Sequence, residues 1–282
     1  MKAWMIAVLL ALGTSSADAA LPGSSVADEA DQGTPSGPAK LLTSLSVASD
    51  FFSDSRHSVA TTFSLMPSLR VGENYSLTGR FMLNVPVYGP DKNPGFEDGV
   101  ISLRRKKLEI NPVLSFSPGA GMILPVSRDS AVRRTMLVGL KLSPRLSMDL
   151  KRSQAPAALK NLTAFYELSP SFFSHEFQST VDGRPNTRFA LSHILNLEYS
   201  LGETGFSLSW TPTLSTSWTY NGVARSRFTM DEAIGYSLNQ QLSLAAGIST
   251  SGDYLAANGT DTNLSFLDQN RSQFYFSLNA AF

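Results

Sequence analysis

Ten charged side chains fall on one face of segments whose other residues alternate between apolar and small polar types: Arg70, Arg80, Lys141, Arg145, Glu167, Arg188, Glu198, Arg225, Arg227 and Asp231. Basic groups outnumber acidic ones in this set. Gathered around a common space, such groups would select anions electrostatically, as rings of Arg and Lys do. The same residues could instead form an internal salt-bridge network that braces the fold, and both readings stay open. Arg188, Arg225 and Arg227 lie near one end of their segments and could act together. Covalent chemistry has weaker support. A catalytic histidine must reach the proton it accepts. His57 is followed directly by Ser58, so the two side chains would leave a strand on opposite sides. His175 is followed by Glu176 and Phe177, and His193 has Leu195 two residues on. No pair of histidines has metal-ligand spacing. Asp253, Asp261 and Asp268 lack the spacing of a calcium loop, so Asp253 and Asp261 would bind divalent cations weakly at most. No cofactor motif is present.

These side chains need elements that alternate, and the chain supplies about twelve. Period-two segments run over about 40–51, 57–71, 75–87, 100–110, 113–126, 135–148, 160–174, 187–201, 205–219, 225–238, 242–251 and 270–282, separated by turn signals such as Gly72-Glu73-Asn74 and Asn221-Gly222. The cleanest sets Val59, Phe63, Leu65, Leu69 and Val71 against Ser58, Thr62, Ser64, Ser68 and Arg70. The segment from Gly205 sets Phe206, Leu208, Trp210 and Leu214 against Ser207, Ser209, Thr211, Thr213 and Ser215. Links after the second, fourth, eighth and tenth segments read as short. Those after the third, fifth, seventh, ninth and eleventh read as longer, and the link after the sixth breaks the rule. It contains 153–159, which reads as one helical turn.

Three features strain this pattern. Pro67, Pro118, Pro144, Pro170 and Pro212 fall on the apolar face of strand interiors, where the missing N–H calls for bulges or a place near a strand end. Glu232 and His193 fall on the apolar face, and a bulge near Asp231 would turn Glu232 over. Arg104-Arg105-Lys106-Lys107 puts charge on both faces, which calls for a register shift or a place beyond the apolar band.

Composition narrows the class. Residues 1–19 carry Lys2, an apolar run from Trp4 to Leu12 and a small-x-small site at Ala17–Ala19, which reads as a secretory signal peptide ending before Ala20. Residues 20–39 are rich in Gly, Pro, Ser and acids and read as a flexible tail. Formal net charge is +0, which argues against a nucleic-acid partner. Cys is 0, so no disulfide holds the fold. Mean hydropathy is -0.04, and no run of about twenty apolar residues follows the leader, as a helical span would need.

The last segment sets Phe274, Phe276, Leu278, Ala280 and Phe282 on one side, and it ends on Phe282. It resembles the closing strand of bacterial outer-membrane β-barrels, and the resemblance extends over 40–282. It implies an all-β, antiparallel, up-and-down transmembrane barrel of about twelve strands with its apolar face toward lipid. It further implies an insertion signal at Phe274, Phe276, Leu278 and Phe282, and both termini in the periplasm. Periplasmic chaperones and the barrel-assembly machinery are the implied partners in biogenesis, outer-membrane lipid is the solvent, and homo-oligomerisation stays open. Aromatic bands fit this setting. Tyr75, Tyr199, Phe206, Tyr236 and Phe282 would mark the periplasmic rim; Phe172, Phe189, Trp218 and Phe228 would mark the other. Outer-membrane phospholipase A is also a twelve-stranded barrel, but its His-x-Ser pair is missing here, so no enzyme is expected. A passive channel for small polar or anionic solutes is the leading expectation, with small lumen residues leaving an open bore. A structural or partner-binding barrel without a pore is the alternative, its support being the long loop at 252–269.

Overall fold

Alternation of apolar and polar residues becomes one closed antiparallel sheet. The structure is a computed structural model that describes residues 39–49, 59–88, 93–152, 156, 159–255, 261–268 and 271–282. The expected leader, most of the expected tail and His57 lie outside the described residues. Sixteen extended segments follow in chain order: β1 (Ala39–Ser49), β2 (Val59–Val71), β3 (Tyr75–Tyr88), β4 (Gly95–Phe96), β5 (Gly99–Arg105), β6 (Leu108–Glu109), β7 (Leu114–Ser117), β8 (Gly119–Leu124), β9 (Met136–Leu142), β10 (Arg145–Asp149), β11 (Leu162–His175), β12 (Thr187–Ser200), β13 (Phe206–Thr219), β14 (Ala224–Ser237), β15 (Leu242–Asp253) and β16 (Ser272–Ala281). β5 with β6, β7 with β8, and β9 with β10 are halves of three interrupted strands, and β4 is a short addition to β3. Twelve strands remain, each paired with its chain neighbours. β1 pairs with β16 from Leu42↔Ala281 to Ser49↔Phe274, which closes the barrel.

The usual polarity of a folded protein is reversed. Leu65 is 44% exposed, Phe276 66% and Phe282 74%. Ser64, Glu167, Ser169, Asn196 and Asp231 are buried on the opposite side of the wall. Leu83, Leu195 and Leu214 stand on the outward side with Leu65 and are not gathered in a sealed centre. This is how a barrel bathed in lipid places its side chains. The aromatic rows are present: Phe206 packs on Tyr236 with ring centres 4.6 Å apart at one rim, and Phe172, Phe189 and Trp218 pack in series at 4.9 and 5.1 Å at the other.

The prolines are accommodated more simply than by bulges. Pro118 and Pro144 lie in the breaks between β7 and β8 and between β9 and β10. Inward and outward faces are kept across both breaks, since Lys141 and Arg145 stay on one side and Leu142 and Leu146 on the other. Pro67 pairs with Leu41 but drops out of the β2–β3 register. Pro212 pairs with Met230 but drops out of the β12–β13 register. Pro170 pairs with Leu191, and its other edge faces the break at Pro144. In each case the edge without an N–H is the edge where bridging lapses.

Other expectations divide. The shift around Arg104–Lys107 is present: β5 pairs Arg104 with Gly119, whereas β6 pairs Leu108 with Phe116, one residue out of step. The bulge at Asp231 is not. The β13–β14 register runs unbroken from Phe206↔Tyr236 to Trp218↔Ala224, so Glu232 stays outward between Trp210 and Ile248. The link after β13 is not long; residues 220–223 make a tight turn with Gly222 at φ 82°. One helical turn at Leu150–Arg152 opens the link after β10; of the expected turn at 153–159 only Pro156 and Leu159 are among the described residues, and Leu159 N–H donates to the Pro156 carbonyl at 2.8 Å.

Residues 261–268 and Arg271 change the outer wall. Phe266 stacks on outward Trp210 with ring centres 6.5 Å apart, and its carbonyl accepts from Thr250 Oγ1 at 2.8 Å. Arg271 lies over outward Phe228 at 5.9 Å and is paired with Asp268. Phe228, Thr250 and Ser272 are consequently buried on the outer side. Phe228 is thus covered by protein and is not part of a lipid-facing band.

Close strand contact on the inner side makes one glycine indispensable. A methyl group at Gly247 would collide with the Glu232 carbonyl and the Tyr275 hydroxyl. Gly247→Ala should lower barrel stability by roughly 1–3 kcal/mol, the cost of overpacking, read as a lower urea midpoint for unfolding from lipid vesicles.

Candidate functional site

The inward side chains cluster unevenly. Glu167 on β11 is buried and gathers three cations. Arg145 of β10 donates to its Oε2 through Nε at 3.0 Å and Nη2 at 2.9 Å. Arg104 of β5 donates to the same oxygen from Nη2 at 3.0 Å. Lys141 Nζ of β9 stands 3.8 Å from Oε1. One carboxylate among three cations leaves a formal surplus of two positive charges among these four residues. A buried carboxylate is tolerated only when charges and hydrogen bonds compensate its lost water, and this one is over-compensated.

Backbone features make the cluster fit. Arg104 sits three strands away from Glu167 and must cross the two that lie between, β7–β8 and β9–β10. It passes over Gly119, where an added methyl would lie 3.6 Å from the guanidinium carbon and 2.5 Å from Ser143 Oγ. Arg104 Nη2 also reaches Ser143 Oγ at 3.4 Å. Its Nη1 is buried with no hydrogen-bond partner. Arg145 is steadied from below by the Phe165 ring, whose centre is 4.1 Å from the guanidinium carbon. Arg80 of β3 is exposed on the same inner wall and is close enough for its charge to act on Lys141.

A neighbouring row runs round the barrel by register: Phe165↔Asn196, Asn196 bonded to Thr211 at 2.8 Å, Thr211↔Asp231 and Asp231↔Ser249. Asp231 is buried there, three strands on from Glu167. Cations therefore hold one side of the interior, and a carboxylate lies further round.

The remaining expected residues do not join the cluster. Arg70 is exposed at the β2–β3 turn beside Ser76. Glu198 faces inward between Thr163 and Ser209. Arg188 is exposed at the far rim, over the Tyr220 ring at 5.9 Å. Arg227 pairs with Asp253 at 3.7 Å, and Arg225 is exposed opposite Ser217. The far-rim arginines are thus engaged separately. Arg104 is the residue that sequence reasoning left out of the set. Its signal was its even spacing with Val100 and Ser102, hidden by the three charges that follow it.

The described histidines have other partners. His193 Nδ1 and the Tyr166 hydroxyl lie 2.7 Å apart on the outward wall, which supplies a polar contact in an apolar setting. His175 packs edge-on against the Tyr220 ring. Among the described residues no three His, Asp or Glu groups converge on a point that would hold a metal. Phe274, Phe276 and Leu278 of β16 form an outward apolar row that Phe282, just past the strand end, continues.

No family model matches this chain, and no curated protein matches it by sequence. Solved structures do. The COG4313 outer membrane channel from Pseudomonas putida F1 superposes with a TM-score of 0.59 at 11% identity, covering 89% of this chain and 97% of that one. The NanC porin gives 0.52 at 12% identity, with 86% and 98% covered. The KdgM porin gives 0.50 at 9% identity, with 86% and 99% covered. At these identities the likeness speaks to architecture: the chain has the closed, twelve-stranded β-barrel fold of bacterial outer-membrane porins.

Proposed function

We propose that this protein is an outer-membrane channel through which small anionic or polar solutes diffuse. The observation that carries the reading is the cation surplus around Glu167, facing the interior of a porin-type barrel. Fixed guanidinium and ammonium groups on a low-dielectric wall raise the local concentration of anions. Porin and channel structures among the similar folds support a transport role. In this reading the strand ends at Ala39 and Ala281 lie on the periplasmic side with the shorter hairpins, and the Phe282 row addresses the chain to the barrel-assembly machinery. The ten charged residues then divide into a central filter (Lys141, Arg145, Glu167, with Arg104) and outlying groups that bias approach.

A second reading has its own support. Glu167, Arg145, Ser169 and Asn196 are buried, as a brace without a pore would require. Two substitutions separate the readings. Lys141→Glu cancels the formal surplus, so reversal potentials under a potassium chloride gradient should move from chloride preference toward potassium. Purified, folded protein that passes no current would end the channel reading. Glu167→Gln leaves three cations without their carboxylate and should cost about 3–5 kcal/mol of stability in urea, while strengthening chloride preference. A stability loss with no change in selectivity would favour the brace.

A further inference from the structure

An apolar stretch interrupts the polar inner wall beside the cation cluster. Val100, Ile123, Gly139 and Phe173 are successive register partners on β5, β8, β9 and β11. They occupy the same inward side as Arg104, Lys141 and Glu167, at even spacing along each strand. Arg80 continues the row on β3, opposite Val100. Arg188 ends it on β12, immediately before Phe189, the partner of Phe172. The next row toward Glu167 contains Ser102, Gly121, Lys141 and Ser171.

Gly139 joins the apolar groups into one surface. An added methyl there would lie 2.9 Å from Ile123 Cβ and 3.1 Å from a Phe173 ring carbon, so the two side chains meet over a residue that has none. Val100, Ile123 and Phe173 are half-buried, and Arg80 and Arg188 are exposed, so solvent reaches this part of the wall. Other apolar side chains face inward too, among them Met82, Ile194 and Phe165 under Arg145, but this pair lies in a row that ends in exposed cations, Arg80 and Arg188. Half-buried apolar surface framed by charge in this way suits contact with a solute that has both an apolar and an anionic part.

Resting on the reading of the lumen as an anion path, we infer that its preferred solutes are monoanions with an apolar body, such as a carboxylate on an aromatic ring or a short alkyl chain. The body lies on Ile123 and Phe173. The carboxylate meets Lys141 and Arg104 on one side or Arg80 on the other. Gly139 and Lys141 are two residues apart on β9, a span of about 7 Å, which suits one ring with its carboxylate attached. Small inorganic anions would use the cations alone and ignore the platform.

The test uses the native protein in planar bilayers, with benzoate, hexanoate and acetate as probes of the chloride current. Benzoate and hexanoate should half-block at concentrations about tenfold below acetate, the effect of burying part of one ring or chain. Ile123→Ser and Phe173→Ser should each bring benzoate toward acetate. Heat-modifiable gel mobility reports whether each variant is folded, and the native comparison stands even if one is not. Equal block by benzoate and acetate, with chloride preference intact, overturns this inference and leaves the anion channel standing. Benzoate preference that survives both substitutions also overturns it. Absence of chloride preference in the native protein overturns both readings.

Discussion

Closure of the hydrogen-bond ladder is the constraint on which the rest depends. In hydrocarbon an unpaired amide finds no water, so an open sheet edge is untenable and the first and last strands must meet. They do so along β1 and β16, ending in the reciprocal pair Leu41–Phe282 at 2.9 and 2.8 Å. Once the wall is closed, strand alternation assigns every side chain to lipid or lumen. The interior becomes the place where charges can be held, and the exterior tolerates few polar groups. His193 meets that demand by bonding Tyr166, and Glu232 sits against Trp210 without leaving its register.

The ladder is weakest where Pro118, Pro144 and Pro170 fall on three successive strands. Backbone bridging lapses there, although single bonds such as Ser143 N to Gly119 O at 2.8 Å remain. The Glu167 network crosses the same zone from within. Arg145 leaves the chain directly after Pro144, and Arg104 reaches Glu167 across both interrupted strands. Side-chain ion pairs thus tie together strands whose main-chain contacts are thinned. In the proposed channel the charges that would draw anions into the lumen are the same ones that tie its wall together at the prolines, so selectivity and integrity would be coupled in one set of residues.

Much of this architecture was legible in the residues. The twelve segments, the outward leucines and the shift around Arg104–Lys107 follow from a period-two pattern that no other element explains as well. The even spacing of Lys141, Arg145 and Glu167 identified them as inward. Their convergence was not legible, because it depends on which strands are neighbours in register and on the bare backbone of Gly119. Arg104 was hidden for a local reason: four consecutive charges conceal which one belongs to the alternation. Glu232 was misjudged because charge on the apolar face suggested a bulge, whereas the unbroken β13–β14 ladder kept it in place beside an indole. The burial of Phe228 depended on a loop with no periodic signal.

That loop, described at residues 261–268 and Arg271, has a bearing on what the barrel meets in its bilayer. By covering Phe228, Thr250 and Ser272 it takes the upper part of β14–β16 away from acyl chains, while the wall formed by β2, β3 and β5 keeps Phe63, Leu65, Leu77 and Leu103 bare. The loop's own Leu264, Phe266 and Leu267 are exposed, so apolar surface on this flank is carried outward on a second layer of chain. A barrel set in lipid meets acyl chains there with loop side chains in place of strand ones, which gives it a distinct lipid neighbourhood on one side.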